Sequence, residues 1–391
     1  MGLATTGNET GASAMELATA LWAASSGWLT DLPVWDSEAT LVLAFGDRCL
    51  ERDPTPLQEL AGCFPRSTLI GCSTSGQVAG SSVRDDVLSV AVARFASSRL
   101  VKVSADVQGG VDSLTAGQIL GRGLAADDLR YVLVLSDGLC VNGSDLVAGL
   151  LSSVGSEVVV TGGLAGDGDR FERTWVIDDG VIHAGRVVAV GVYGESVRVG
   201  SGSMGGWGIF GPERLVTRSE GNVLYELDGK PALELYKQYL GDLAAGLPAT
   251  ALLFPLAVRP DAQGDQLVRT VLAVGESDQS MTFAGDIPQG WRAQLMRSSP
   301  DRLIDGAAGA AAQCRVGHSG VGPTLGIAIS CVGRRLVLGQ RTEEELEAAL
   351  EVLPAGSEMV GFYSYGEIAP GAGGRGDLHN QTMTITTLSE G

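Results

Sequence analysis

Apolar residues in this chain fall in short, dense runs separated by glycine and small polar residues. LVLAFGD (41–47), TLIGCSTSG (68–76), YVLVLSDG (131–138), VVVTGGLAGDG (158–168), TLGIAISCVG (324–333) and EMVGFYSYGEI (358–368) are nearly continuous apolar stretches ending in small or acidic residues. Runs of this length that do not alternate predict strands buried on both faces. DVLSVAVARF (86–95), LVKVSADV (100–107), VVAVGVYG (187–194), VRVGSGS (197–203), LVRTVLAV (267–274), the stretch around WRAQLM (291–296) and QTMTITTL (381–388) read as further strands. Helical spacing appears between them. Leu114 to Ala125, Asp145 to Val154, and a stripe of Leu235, Tyr236, Tyr239 and Leu240 each predict a helix. Ser299 and Pro300 open another, through Ile304, Ala307 and Ala311. Thr55, Pro56 and Gln58 read as a capping box with a proline in the first turn, and Thr342 with Glu345 as a second box. Met15 to Ala24 reads as an amphipathic helix behind a frayed terminus.

The order of these elements repeats. YVLVLSDG aligns with TLGIAISCVG, and VVVTGGLAGDG with EMVGFYSYGEI, although few residues are identical. Single helices between successive strands fit crossover connections, and adjacent strands fit antiparallel hairpins. The expected fold is α/β or α+β: two related lobes with mixed β-sheets and crossover helices, built by an internal duplication. The expected divisions are an N-terminal extension over 1–35, a first domain over 36–210 and a second over 211–391.

With 391 residues, more than one core is expected. The net charge is −19, spread rather than clustered, so the field repels phosphate backbones and argues against nucleic acid as a partner. The apolar runs are too short and too interrupted to cross a membrane, and the first residues lack the basic region of a signal peptide. A cytoplasmic protein is the expectation. The cysteines show no CxxC spacing, which fits reduced core thiols.

Candidate chemistry gathers at two strand ends, GGLAGDG (162–168) and GFYSYGEIAP (361–370), and at the LHNQT that follows (378–382). Each strand end sets glycines and one carboxylate after an apolar run, where backbone can turn sharply and a ligand can approach. Asp167 and Glu367 either accept a hydrogen bond from a ligand amine or hold their own turns. Strand alternation sends Tyr363 and Tyr365 to one face, as a pocket wall or as core. Asn380 and Gln381 offer donors and acceptors together, suited to a zwitterion or to capping a turn. Arg334 and Arg335 are candidates for gripping a carboxylate, and on a strand only one of them can reach a pocket. His183, His318 and His379 show no zinc spacing, so no metal site is expected. GSGSMG (200–205) matches GxGxxG, but no helix follows it to hold a pyrophosphate. Trp207 and Phe210 in the same glycine-rich loop read as cover for a pocket or an interface. Cys72 and Cys331 follow apolar strands without a base nearby, so no catalytic residue is assigned.

Several motifs, in order, resemble the FIST family of F-box and intracellular signal transduction proteins: GCSTSG (71–76), GGLAGDG, LDGKPALELY (227–236), SCVGRR (330–335), GFYSYGEI and LHNQTMT (378–384). The resemblance covers Leu41 to Glu390 and implies an N-terminal and a C-terminal FIST domain. It implies a stand-alone sensory module that binds a small ligand between two lobes. Amino acids or related metabolites are the suggested ligand class, and a separate protein such as a kinase the suggested output. Asp167, Tyr365, Glu367, Asn380, Gln381 and Arg334 are then the candidate ligand contacts. Some members resemble haem-binding nitric oxide sensors, which makes His379 the candidate haem ligand. An enzyme and a ligand-free interaction scaffold are the remaining alternatives.

Overall fold

The computed structural model describes residues 15–107, 112–261, 264, 266–314, 322–371, 374 and 376–391. His318 lies outside them. Three of the four sheets follow one plan. Each holds a parallel pair joined by helix: Thr40–Gly46 with Thr68–Ser73, Leu129–Ser136 with Val159–Leu164, and Leu325–Cys331 with Glu358–Ser364. The crossovers are the helices Thr55–Cys63, Gly143–Leu151, and the consecutive Val332–Leu338 and Thr342–Val352. An antiparallel strand flanks each pair: Val87–Arg94, Arg186–Tyr193 and Met383–Glu390. The fold is therefore mixed α/β with crossover helices. The two segment pairs aligned in the sequence occupy equivalent places, and Thr40–Ser73 supplies a third copy of the same unit.

The units exchange their edges. The hairpin Gln77–Ala79/Ser82–Arg84, which follows the first parallel pair, joins the third sheet. Val176–Asp178/Val181–His183, after the second pair, joins the first sheet. Gly366–Pro370/Gly376–His379, after the third pair, joins the second sheet. Alternation along the central strands serves two cores at once. Leu41, Leu43 and Phe45, Tyr131, Leu133 and Leu135, and Leu325, Ile327 and Ile329 meet in one cluster shared by all three sheets. The opposite faces pack under each unit's own helix, as Val42 and Ala44 do against Leu57 and Leu60.

The fourth sheet is a separate lobe formed by residues 208–297, with its own core around Leu224, Tyr236, Val258 and Phe283. Its long strand is Gly208–Glu220. After it the chain returns through the helix Pro300–Cys314 to complete the third sheet.

Four local expectations are corrected. Met15–Ala24 is not helical: Glu16–Ala23 is a strand paired residue for residue with Val87–Arg94. Leu17 packs on the shared core while Ala20 and Trp22 pack on the outer one, so apolar residues fall on both sides and mimic a helical stripe. The Thr55 box does not form; Thr55 Oγ1 instead donates to Asp53 Oδ1 at 2.6 Å. The Thr342 box does not form either, because Glu345 turns inward to Arg334. LVRTVLAV is not one strand. It breaks at Thr270 into Leu267–Arg269 and Val271–Gly275, which lie at opposite edges of the fourth sheet.

Candidate functional site

The residues singled out in the sequence are almost all buried, and the structure divides them among three places. Asp167 is fully buried and closes its own turn. Its Oδ1 accepts the Phe171 amide at 3.0 Å, and its Oδ2 accepts the amides of Glu172 and Arg173, each at 3.0 Å. The Tyr365 hydroxyl donates to Oδ1 as well. That ring stacks on Phe171 with centroids 4.4 Å apart. Tyr365 thus fastens the end of the third unit to the loop of the second, and the acceptor capacity of Asp167 is taken up.

Arg334 and Glu345 form the second place. The arginine stands on a helix rather than on the expected strand, because the chain turns helical at Val332 directly after the buried strand. Both side chains are at 0% exposure and pair at 2.7 Å. Arg334 also donates to the carbonyls of Gly205 and Leu303, each at 2.7 Å. Glu345 Oε1 accepts the hydroxyls of Ser330 at 3.1 Å and Tyr363 at 2.6 Å. A fully satisfied network of this kind fixes packing. Arg335, one residue on, reaches outward to Asp85 at 2.7 Å.

Glu367 sits between these two places. It accepts Ser364 Oγ at 2.5 Å, the Thr382 amide at 3.1 Å and Thr382 Oγ1 at 2.9 Å. Burial nevertheless pushes its carboxyl up to about 7, against those hydrogen bonds. A carboxyl that binds its proton more tightly when folded stabilises the fold below its ordinary value of 4.5, and this contribution is lost as pH rises through about 7. The expected loss is about 3 kcal/mol, at about 1.4 kcal/mol per pKa unit. Melting curves of Glu367→Gln should therefore differ little between pH 5 and pH 8, where the parent loses stability. Equal pH dependence in both proteins would refute the assignment. Gln77 stands at the corresponding place in the first unit, bonded to Thr74 Oγ1 at 2.5 Å, so an amide suits this corner.

The third place is an open cleft of about 720 Å³ between the 208–297 lobe and the segment 376–382. Trp207, Arg269, Trp291, Asp377, His379 and Asn380 line it. Hydrogen bonds tie its two sides together. Trp207 Nε1 donates to the Gln381 carbonyl at 2.8 Å, Gln381 Nε2 to the Leu252 carbonyl at 3.0 Å, and Arg269 Nη1 to the Leu378 carbonyl at 3.2 Å. Gln381 adopts φ 64°, in the left-handed region that costs a non-glycine residue energy and is held only by its surroundings. Asn380 Nδ2 and Gln381 Oε1 are buried without a partner among the described residues. Of the sequence candidates, Asn380 and His379 border this cleft, while Asp167, Tyr365, Glu367, Gln381 and Arg334 do not. Trp207 borders it too; Phe210 instead lies under Arg297, 4.9 Å from its ring centroid.

Arg269, Asp377 and Trp291 were missed in the sequence. A signal for the first was present, since an arginine interrupting the apolar run LVRTVLAV is rarely buried without a reason.

His379 does not fit an axial haem ligand. Its Nε2 lies 3.2 Å from the Ala369 carbonyl, and around it stand a carboxylate and a guanidinium rather than two apolar walls. Burial lowers its pKa, favouring the neutral ring. The Cys72 and Cys331 thiols are fully buried and pushed upward by burial, the opposite of nucleophile activation. No described helix is long and apolar enough to cross a membrane.

The chain matches the FIST N domain over residues 40–230 and the FIST C domain over residues 232–370. No curated protein matches it. The N-domain match spans the first two parallel units and the start of the fourth sheet, and the C-domain match spans the rest of that sheet and the third parallel pair. With both domains matched in sequence order across most of its length, the chain belongs to the FIST family, whose domains are associated with sensing in signal transduction.

Proposed function

We propose that this protein is a cytoplasmic sensory module whose small ligand, of the size of an amino acid or a related metabolite, occupies the cleft between the 208–297 lobe and the segment 376–382. The observation that carries the reading is the cleft's composition. It combines about 720 Å³ of space with a buried cation, a carboxylate and two tryptophans. The ligand-sized groups sit where the two parts of the molecule meet, so an occupant touches both. Contacts crossing the cleft run through residues 378–381, and a ligand that binds one arrangement of them better shifts the population toward it. The shift is then read by a separate signalling protein such as a kinase.

The test is a thermal-shift screen against amino acids, small carboxylates, nucleotides and haemin. A ligand at about 100 times its Kd is expected to add about 2.7 kcal/mol, a rise of several degrees. The effect should vanish in Trp291→Ala and persist in Asp167→Asn if the latter folds. A hit insensitive to every cleft variant would place the ligand elsewhere. Absence of any hit would leave the scaffold as the better description.

A further inference from the structure

Arg269 is the least expected side chain in the molecule. It is 3% exposed and makes no ion pair among the described residues, yet it borders the cleft. Its Nε donates to the Asp286 carbonyl at 3.1 Å, and Nη1 to the carbonyls of Leu378 at 3.2 Å and Val268 at 3.4 Å. Nη2 donates to no described group. The nearest carboxylates favour its charge from a distance but are bound to other donors. Asp377 Oδ1 accepts the Leu378 amide at 2.7 Å, and Asp286 Oδ1 accepts Asn142 Nδ2 at 3.2 Å. A buried charge without a counter-ion is costly, and a partner that supplies one recovers much of that cost.

We infer that the cleft takes a small monocarboxylate with an apolar or aromatic tail, its carboxylate paired with Arg269. The inference rests on the cleft being the ligand site. A guanidinium edge takes the two oxygens of a carboxylate in a fork. A dianionic phosphate fits worse, because Arg269 is one cation with two carboxylates near it, in a chain of net charge −19. Neutral His379 adds no second positive charge. The apolar part of the lining suits a hydrophobic tail. Trp207, Trp291, Met296 and Leu267 line the cleft, and the indole N–H of Trp207 is already spent on Gln381.

The experiment is a titration of the full chain followed by tryptophan fluorescence and calorimetry. The probes are benzoate, phenylacetate and indole-3-acetate, each beside its neutral amide, with phenyl phosphate and L-phenylalanine as comparisons. At least one acid should bind saturably, tenfold or more tighter than its amide and tighter than phenyl phosphate. Arg269→Gln should weaken it at least tenfold, with Arg269→Lys in between. Should Arg269→Gln fail to fold, Asp377→Asn decides. Removing that negative charge should tighten the acid several-fold and leave the amide unchanged. The inference falls if acid and amide bind alike, if no acid binds, if Arg269→Gln binds as the parent does, or if Asp377→Asn weakens the acid. Tighter binding of L-phenylalanine than of every acid also overturns it, since the second charge would then be the one recognised. In that case the sensory reading stands. Failure of every compound class in the thermal screen would remove both.

Discussion

Arg334→Ala is expected to destabilise the protein by about 3–5 kcal/mol, the cost of leaving a buried charge without its partner. Glu345 would remain at 0% exposure with only the Ser330 and Tyr363 hydroxyls to hold it. The carbonyls of Gly205 and Leu303 would lose their donor as well. These carbonyls lie on the chain entering the 208–297 lobe and on the helix leaving it, so the loss would loosen the junction of the two lobes. Glu345→Ala should cost a similar amount. The pair Arg334→Met with Glu345→Leu should recover part of the loss but not all, because Tyr363, Ser330 and the two carbonyls stay unpaired. Denaturant melts of Arg334→Ala, Glu345→Ala and the double variant Arg334→Ala/Glu345→Ala give the coupling directly. Additive losses would mean that the two side chains act independently, contrary to the geometry.

Gly162→Ala and Gly361→Ala are expected to be as severe, with about 3 kcal/mol lost or no folded protein at all. A Cβ on Gly162 would stand 1.9 Å from the Val134 carbonyl oxygen, and one on Gly361 would stand 1.8 Å from that of Ala328. Both oxygens belong to the neighbouring parallel strand, at the paired positions Val134↔Gly162 and Ala328↔Gly361. Backbone on a central strand cannot retreat without breaking its ladder. Gly71, paired with Ala44, repeats the arrangement at 1.8 Å. The same three contacts are therefore one device used once in each unit, and Gly71→Ala should behave alike. Gly62 is the control. It lies in the helix Thr55–Cys63 with nothing within 4 Å of its added Cβ, so Gly62→Ala should be neutral or stabilising by up to about 1 kcal/mol. Circular dichroism melts of the four variants would separate steric exclusion from any general intolerance of alanine.

Much of the architecture was legible because it follows from period. Buried strands such as Leu129–Ser136 and Leu325–Cys331 announce themselves as apolar runs of the right length. Helices such as Ser113–Leu124 announce themselves by their stripe. Met15–Ala24 reads as a helix because its strand carries apolar residues on both faces, which erases the alternation of apolar and polar positions. The capping signals misled for a related reason. Ser, Thr and Glu can satisfy helix ends locally, but Glu345 finds a stronger partner in Arg334, and local propensity gives way.

The candidate site was legible only in part. The glycine-rich strand ends were found because glycine marks close approach, yet at 162 and 361 what approaches is the neighbouring strand. Asp167 and Tyr365, 198 residues apart, meet as a fastening between units. Asn380 and His379 were placed beside a cleft whose opposite wall, Arg269 and Trp291, comes from a lobe with no visible connection to them in sequence.

The sequence by itself determined most element types, the mixed sheets with crossover helices and the family, because these depend on hydrophobic periodicity and on motifs read locally. The tertiary structure alone decided which strands share a sheet, which carboxylates are spent on turns, and where a buried cation has no ion pair among the described residues. Those outcomes depend on edge exchange between units and on burial, and burial is a property of everything that packs around a residue rather than of the residues beside it in the chain.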